Sequence, residues 1–556
     1  MTSKQLGTHP QTRLQKYSMF LPAVSPYPIF LYAETHFRFF PGFPSLLFKR
    51  EPEIVFDLPY RCDPGKDLPI FLIVNDIKRF PVDVTSVSVV VSQKDSTPIL
   101  FEFENTGKFQ LAHSMSAQSR VFCFWIKRSS LPHGNVFVNC KASISNGRRC
   151  WIVINDNFIS SSKLPFSCMV AEHTLPGSES CAFGDLHVHS QYSQSHVEFG
   201  PPIAAIDTIS DTCGLDFFAI TDHSYDLCCK LSDYLQIDNN LERWKFLTND
   251  LKKSYNLKSI IILGEEITTI NSQKQAVHLC AIGLTDFIPG STDGARNKKL
   301  ETLEITEVVR RVHDQGGLAM AAHPGSRFGF LQQIFLRRGN WMQADLGNDL
   351  DAIQAINNGF GTSWNTAKQL WIKELLKGRR LPIVAGNDAH GDFNRYRYVS
   401  VPFLRVSESF SRYLSYCRTG IYKKATSIKD VMNAIRAGET FVTNGPFLSI
   451  TYLKSDINIA NQPRTIPLGC NAVTVSAVSS SEFGMPRTIR LFGGKVETGR
   501  EVVIFSDSYN GKYNQTINIS LESTSSLRYL RAEVTCARPD GSTTFAATSP
   551  HYCAKQ

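Results

Sequence analysis

The chain has 556 residues, of which 42% are hydrophobic and 20% are charged, and its formal net charge is +9. This composition excludes the class of disordered proteins with low hydrophobicity and high charge, and the length exceeds what one hydrophobic core usually organises. The basic residues form no dense block with interleaved aromatics, so we expect no nucleic-acid interface. The positive excess weakly favours anionic partners.

The N-terminal part of the chain carries no clear targeting signal. An apolar segment at 19–33 is interrupted by Pro22, Pro26 and Pro28, and no clear cleavage site follows it. No run of 18 apolar residues occurs that would span a membrane. The 14 cysteines include no CxxC pair. We therefore predict a cytoplasmic protein with free thiols.

The first third of the chain has the pattern of β-strands. Residues 1–50 are rich in Pro and Phe without a clear period, and we expect an extension that packs on a neighbour. The segments 86–91, 99–104 and 136–144 alternate or run apolar between turn-forming residues. This pattern predicts an N-terminal antiparallel β-sandwich over 51–180.

A pattern of strand, loop and helix follows over 181–425. Short apolar runs end in polar residues, and helical stretches such as 302–315 lie between them and stop at glycines. Repeated βα units predict a parallel sheet or barrel, whose reactive residues gather at the C-terminal ends of the strands. An amphipathic helix at 427–437 and later alternating segments predict a linker helix and a C-terminal antiparallel β-sandwich over 426–556.

Two histidines in one short motif raise the question of a metal site. The sequence DLHVHS at 185–190 places His187 and His189 at positions i and i+2 of an apolar stretch. Such residues project from one face of a strand, so both imidazoles can bind one ion. A single histidine with apolar neighbours is more often structural than a ligand, so this motif alone leaves both interpretations open.

Further histidines and acids follow other apolar runs of the same region. They are His223 in AITDHS, Glu266 in ILGEEI, His323 in MAAHPG, and Asp388 with His390 in AGNDAH. Imidazole and carboxylate are the ligands of zinc, manganese and iron in proteins. Because the ends of successive parallel strands meet at one edge of a sheet, this series of motifs predicts a metal centre.

The order of these motifs resembles that of the polymerase and histidinol phosphatase (PHP) family over roughly 183–392. The motifs are DLHVHS, GLDFFAITDHS, ILGEEI, VHLCAIG, GGLAMAAHPG and GNDAHG. AIRAGETFVTNGPFLSI at 434–450 and the later segment at 530–552 are similar to the carbaryl-hydrolase-like metallohydrolases of this family. The resemblance implies a distorted (β/α)7 TIM-like barrel with two or three divalent ions, Zn2+, Mn2+ or Fe2+, in its mouth. With the flanking sandwiches, the expected fold class is multidomain α/β plus β.

The resemblance also implies two metals joined by one glutamate. The ligands are His187, His189, Glu266 and Asp388 for the first metal, and Glu266, His278 and His323 for the second.

A third ion would use His223 and His390, together with a residue soon after the HxH motif. The family often has Asp or His five or six positions beyond the second histidine, whereas this chain has Gln194 and Ser195 there. His196, one position later, is the expected substitute.

Several neighbours of the motifs have alternative interpretations. Asp185 and Asp222 adjoin metal histidines and would orient their imidazoles. Alternatively, Asp222 caps the turn after its strand. Glu265 faces away from Glu266 if the strand stays extended, so the bridging role is assigned to Glu266. His313, inside a predicted helix, is interpreted as structural.

This ligand set predicts hydrolytic chemistry. Two divalent ions joined by a carboxylate lower the pKa of a shared water, so the expected nucleophile is a metal-bridged hydroxide. The expected catalytic residues are His223, Glu266 and Asp388, with His223 or a metal-bound water protonating the leaving group. Phosphomonoesters or phosphodiesters are the predicted substrates, because the family consists mostly of phosphatases and phosphodiesterases.

The sequence leaves alternatives open both for the substrate and for the function. Arg327, Arg395 and Arg397 follow the motifs and could bind the phosphate oxygens of a small anionic substrate, or could be surface arginines. The carbaryl-hydrolase resemblance favours carbamate or carboxyl-ester bonds instead. An alternative of another class is a non-catalytic, metal-stabilised module whose two β domains bind a partner.

Overall fold

A computed structural model of the protein describes most of the chain beyond residue 51. The described residues are 52–75, 77–78, 80–104, 106–111, 119–157, 163–193, 201–231, 236–252, 257–291, 301–329, 333, 338–347, 349–357, 359–391, 393–394, 398–401, 404–407, 413–452, 465–467, 470–496, 498–509, 511–521 and 526–553. The predicted extension at 1–50 lies outside them. Among the described helices, none is long and apolar enough to cross a bilayer.

Nine strands at the N-terminal side form two sheets that pack face to face. They are β1 Glu53–Asp57, β2 Arg61–Cys62, β3 Leu68–Asn75, β4 Asp83–Ser92, β5 Ile99–Glu104, β6 Arg120–Ile126, β7 Gly134–Ser145, β8 Cys150–Ile154 and β9 Phe166–Val170. One sheet has the order β1-β3-β6 and the other β2-β9-β7-β4-β5, with β8 added to β7. Val87, Val89 and Val91 of β4 alternate into the core between the sheets, which removes their apolar surface from water.

The six α-helices of the described residues all lie in the central part of the chain. They are α1 Ile203–Cys213, α2 Ser224–Leu227, α3 Glu242–Lys252, α4 Ile305–Asp314, α5 Thr362–Leu376 and α6 Ile428–Ala437. The strands of this part are β10 Ala182–Val188, β11 Phe217–Ile220, β12 Ile260–Ile270, β13 Ala276–Ile282, β14 Leu318–Ala321, β15 Ala352–Ile356, β16 Ile383–Ala385, β17 Tyr398–Val401, β18 Leu404–Ser407, β19 Arg418–Ile421 and β20 Thr440–Thr443. Helix α6 covers the predicted amphipathic segment, with the Ser427 side chain accepting the Asp430 N–H at its start and Gly438 left-handed at its end.

The remaining nine strands follow helix α6. They are β21 Phe447–Tyr452, β22 Thr465–Ile466, β23 Ala472–Val478, β24 Met485–Lys495, β25 Arg500–Ser508, β26 Asn514–Ser520, β27 Leu527–Ala537, β28 Thr543–Thr548 and β29 His551–Cys553. Strands β21, β23 and β26 form a small sheet. It shares a core with β24 and β27, in which Leu448, Val475, Leu491 and Leu530 are fully buried.

One large curled sheet connects the central and C-terminal strands. Its order is β16-β15-β14-β13-β12-β11-β10-β19-β20-β28-β27-β24-β25. Strands β10 to β12 are parallel, and so are β14 to β16. Strand β13 is antiparallel to both of its neighbours, and from β10 onward the sheet continues antiparallel through β19, β20 and β28.

The predicted (β/α)7 TIM-like barrel, and with it the multidomain α/β plus β fold class, is wrong. Strand β12 pairs with β11 only through Leu263, and from Gly264 onward it forms a hairpin with β13, with no helix in the described turn between them. A Cβ atom on Gly264 would lie 2.3 Å from the carbonyl oxygen of Ala281, so this change of partner requires glycine. Six described helices are too few to alternate with these strands, and the C-terminal strands share the large sheet instead of forming a separate sandwich.

The curled sheet brings distant loops to one edge. Beyond β16, Ala389 forms a parallel bridge with Val188 at the end of β10. Beyond β11, His223 forms a parallel bridge with Glu266 of β12. The ends of β10, β11 and β16 therefore meet the β12–β13 hairpin.

Candidate metal centre

Eight side chains converge at this edge of the sheet, and seven of them belong to buried residues. They are His187, His189, His223, Glu266, His278, His323, Asp388 and His390. These are the residues that the sequence predicts as metal ligands. The structure places all eight in one contiguous cluster.

Strand β10 supplies the first pair of imidazoles. The Nε2 atoms of His187 and His189 lie 3.2 Å apart, and each lies 3.4 Å from Oε2 of Glu266. Oδ1 of Asp388 lies 3.4 Å from Nε2 of His187 and 3.2 Å from Nε2 of His189. Two nitrogens and two carboxylate oxygens thus face one point, as four ligands around a cation do.

The carboxylate of Glu266 lies between two groups of histidines. Its Oε2 atom, which faces the first pair, also lies 2.9 Å from Nδ1 of His223. Its Oε1 atom lies 2.6 Å from Nδ1 of His278 and 3.0 Å from Nε2 of His323. Each oxygen therefore contacts a different set of imidazoles, which is the geometry required of a carboxylate that bridges two cations.

A further group contains His189, His223 and His390. The rings of His189 and His390 are nearly parallel, with centroids 4.0 Å apart. Nδ1 of His390 donates to the carbonyl oxygen of Asp388 at 2.8 Å, which leaves Nε2 as the metal-binding nitrogen of the neutral ring. His196, the expected substitute ligand of this group, lies outside the described residues, as do Gln194 and Ser195.

Hydrogen bonds at Nδ1 of His187 and His189 determine which nitrogen of each ring can bind a metal. Nε2 of Gln354 donates to the carbonyl oxygen of Gly386, so Oε1 of Gln354 accepts from Nδ1 of His187 at 2.9 Å. Nε2 of His187 is then the metal-binding atom. Nδ1 of His189 lies 3.1 Å from Oγ of Ser193, which directs its Nε2 to the same point.

The sequence analysis did not select Gln354 or Ser193. The available signal for Gln354 is one polar residue in the otherwise apolar strand AIQAI. Cys280 was not selected either, and its Sγ lies 3.4 Å from Nδ1 of His187.

Two residues of the centre adopt left-handed backbone conformations. His323 has φ 32° and Asp388 has φ 54°. Such angles are uncommon for residues with a side chain and persist where the surrounding structure enforces them, often at functional sites. The Asp388 N–H donates to the carbonyl oxygen of His187 at 2.9 Å, which ties this loop to β10.

Asp185 and Asp222 contact the loops that carry the ligands. Asp185 accepts hydrogen bonds from the backbone N–H groups of His187, Asn387 and Ser415 and from the Asn387 side chain. Asp222 accepts from the backbone N–H and the hydroxyl of Ser190, at 2.7 and 2.6 Å. Both carboxylates thus accept hydrogen bonds from backbone, hydroxyl and amide groups of these loops and hold them in place.

Five further residues named in the sequence analysis are not among these eight. Arg327 is exposed, and Arg395 and Arg397 lie outside the described residues. His313 is on helix α4 and lies 2.9 Å from Asp351, away from the cluster. Glu265 is buried on the other face of β12 from Glu266, where its Oε1 accepts the Ile288 N–H.

Burial and neighbouring charge shift the pKa values of the centre in opposite directions. Burial opposes ionisation of Glu266, but the neighbouring imidazoles, His278 first and then His187, outweigh it and hold the pKa of this carboxyl well below its usual range. Burial would lower the pKa of His189, but hydrogen bonds to Asp388 and Glu266 raise it to about 9. For His223 and His323 burial prevails, and their pKa values are lowered.

Buried clusters of histidine, glutamate and aspartate in this centre could hold a metal ion. The hydrogen-bonding pattern fits such an ion, because the Nε2 atoms of His187 and His189 face each other at 3.2 Å while their Nδ1 atoms have other partners. Once both rings have lost their Nε2 protons, they point lone pairs at each other, which a cation between them would satisfy.

Comparisons with known proteins identify no family for this chain. No family model matches it, and no curated protein matches it. Among solved structures, a 1.5-MDa bacterial ice-binding adhesin is 8% identical with a TM-score of 0.14, covering 91% of this chain and 100% of that one. Trypsin-activated alpha-2-macroglobulin from Escherichia coli is 8% identical with a TM-score of 0.15, covering 91% of this chain and 24% of that one. β-Glucuronidase 3 from Bacteroides uniformis is 9% identical with a TM-score of 0.19, covering 90% of this chain and 64% of that one. These TM-scores are too low to carry an argument about fold or function.

Proposed function

We propose that this protein is a metal-dependent hydrolase of phosphoesters and that it binds two or three divalent ions, Zn2+, Mn2+ or Fe2+, in the candidate centre. The observation that carries the proposal is the position of Glu266, whose two oxygens contact two separate groups of histidines. The order of motifs that resembles the PHP family supports the same chemistry.

The proposed ligands divide into groups around shared residues. The first ion would use His187, His189, Glu266 and Asp388, the second Glu266, His278 and His323, and a third His223 and His390. Bound divalent cations supply Lewis acidity and bring the pKa of a coordinated water towards neutrality.

The chain's own groups contribute charge and proton positions. Glu266 and Asp388 have pKa values well below the usual carboxyl range, because neighbouring imidazoles outweigh the effect of burial, so both are anionic at neutral pH. Burial lowers the pKa of His223, which keeps this imidazole neutral and able to bind a cation. The loop contacts of Asp185 and Asp222 keep the ligands in place, which preorganised catalysis requires.

The direct test combines metal analysis with a substrate screen of the purified full chain. Protein supplied with Mn2+ or Zn2+ should hydrolyse p-nitrophenyl phosphate or bis-p-nitrophenyl phosphate. Turnover of a naphthyl carbamate alone would favour the carbamate and carboxyl-ester alternative. Bound metal without turnover of any of these substrates would favour the non-catalytic module.

Adjacent glutamates on opposite faces of β12 offer a matched pair of variants. Glu266→Gln should lose activity and at least one equivalent of metal, because the amide is a poor bridging ligand. Glu265→Gln should keep both, because Glu265 lies on the face away from the histidines. A fully metallated and active Glu266→Gln variant would contradict the proposal.

A further inference from the structure

Arg338 places a guanidinium group beside the candidate metal centre. Its Nη1 atom lies 3.5 Å from Nδ1 of His278, the same nitrogen that faces Oε1 of Glu266. Arg338 follows no histidine motif and was not selected from the sequence. Arg338 is half-buried, so part of it is accessible to solvent.

The backbone around Arg338 is fixed to the strand that carries His278. Arg338 forms a parallel bridge with Ala276 at the start of β13, and the N–H of Gly339 donates to the carbonyl oxygen of Ala276 at 2.7 Å. The guanidinium also stacks on Phe328, with its Cζ atom 5.4 Å from the ring centroid. The position of the charge is therefore set by sheet pairing and by an aromatic platform.

The net charge of the centre indicates which kind of ligand the guanidinium of Arg338 would favour. The ligand cluster contains six imidazoles and two carboxylates, so two divalent ions would leave an excess of two positive charges. An arginine beside His278 adds to that excess, which disfavours further cations and favours an anion that contacts both a metal and the guanidinium. A phosphoryl group fits this role, because a guanidinium can donate two parallel hydrogen bonds to its oxygens.

We propose that Arg338 is the specificity-determining residue that binds the phosphoryl oxygens of an anionic ester at this centre. The inference rests on the proposed hydrolase function and adds to it the residue that selects a phosphoester over a neutral carbamate or carboxyl ester.

The test uses the Mn2+-loaded full chain and inorganic phosphate as the probe. Calorimetric titration should show phosphate binding that Arg338→Gln weakens by about 10- to 100-fold, the loss expected for a charge-assisted contact. Arg338→Lys should give an intermediate affinity, since lysine keeps the charge without the planar pair of donors. Arg310→Gln is the matched control, because Arg310 is exposed on helix α4 and pairs with Glu307 and Asp314.

Kinetics on the same variants separate binding from folding. For phosphoester substrates, Arg338→Gln should raise KM by a similar factor, with smaller changes in kcat and in bound metal. Unchanged phosphate affinity in a fully metallated Arg338→Gln variant would overturn the inference. Equal losses on phosphoesters and on a naphthyl carbamate would also overturn it, because they would indicate a structural role beside Phe328.

The two proposals can fail separately. Phosphate binding that depends on Arg338, without turnover of any ester, would contradict the hydrolase and keep the anion contact. Ester turnover that is insensitive to Arg338 would keep the hydrolase and remove the assigned role of this arginine.

Discussion

Gln354 and His187 are 167 residues apart in the chain and form a hydrogen bond of 2.9 Å between Oε1 and Nδ1. Gln354 lies in β15 and His187 in β10, two strands that are not neighbours in the sheet. The same amide donates to the carbonyl oxygen of Gly386, which precedes the loop carrying Asp388. One glutamine thus determines the tautomer of a predicted ligand and contacts the loop of another.

We expect Gln354→Met to weaken metal binding by about 10- to 100-fold, the usual cost of removing a hydrogen-bond partner of a ligand histidine. Gln354→Glu should retain most of the affinity, because a carboxylate still accepts from Nδ1. Competition with a chromogenic chelator measures the affinity, and Gln273→Met at an exposed turn position serves as the control. Equal affinities of the Met variant and the unsubstituted protein would show that this hydrogen bond does not orient His187.

The sequence located the residues of the centre better than it located the fold. Residues at i and i+2 of a strand share one face whatever the direction of the neighbouring strand, so the pairing of His187 with His189 did not depend on the barrel. The fold prediction required strand and helix to alternate throughout. That alternation fails at Gly264, where β12 changes partner from β11 to β13.

The spacing of the motifs could not predict contacts between distant segments of the chain. Gln354 and Arg338 lie in no histidine motif, and only the strand order of the sheet brings them to His187 and His278. The left-handed backbone of His323 and Asp388 was also unpredictable, because the surrounding packing imposes it on residues that rarely adopt it.

Metal binding to the centre should release protons at neutral pH. Hydrogen bonds to Asp388 and Glu266 raise the pKa of His189 to about 9, so the metal-free ring carries a proton that a cation must displace. The pKa of His187, a proposed ligand of the same ion, is also raised well above its usual value. Apparent affinity should therefore rise as the pH rises through about 9. Calorimetry in two buffers of different ionisation enthalpy measures the protons released, and identical heats in both buffers would contradict this expectation.

Stability should depend on pH through Glu265. Burial raises the pKa of this carboxyl well above its usual range, so the folded chain holds its proton at pH values where the unfolded chain has lost it. The contribution of Glu265 to stability therefore falls as the pH rises above the unfolded pKa of about 4.3. Glu265→Gln removes the ionisable group, so the urea midpoint of the variant, relative to that of the unsubstituted protein, should rise as the pH increases above about 4.3. Glu102→Gln at an exposed position of β5 is the control. A difference in urea midpoint between Glu265→Gln and the unsubstituted protein that does not change with pH would contradict a raised pKa of Glu265.

Gly386 leaves no space for a side chain between β10 and the loop carrying Asp388. A Cβ atom at this position would lie 2.5 Å from Cβ of His187, 2.8 Å from its backbone nitrogen and 3.0 Å from Nε2 of Gln354. Gly386→Ala should therefore separate Asp388 from His187, remove one equivalent of metal and cost about 1–3 kcal/mol of stability by overpacking. Gly347→Ala is the matched control, because a Cβ atom there meets nothing within 4 Å. Thermal melting with metal analysis measures both effects, and a Gly386→Ala variant with full metal content would show that the two ligands do not need this close approach.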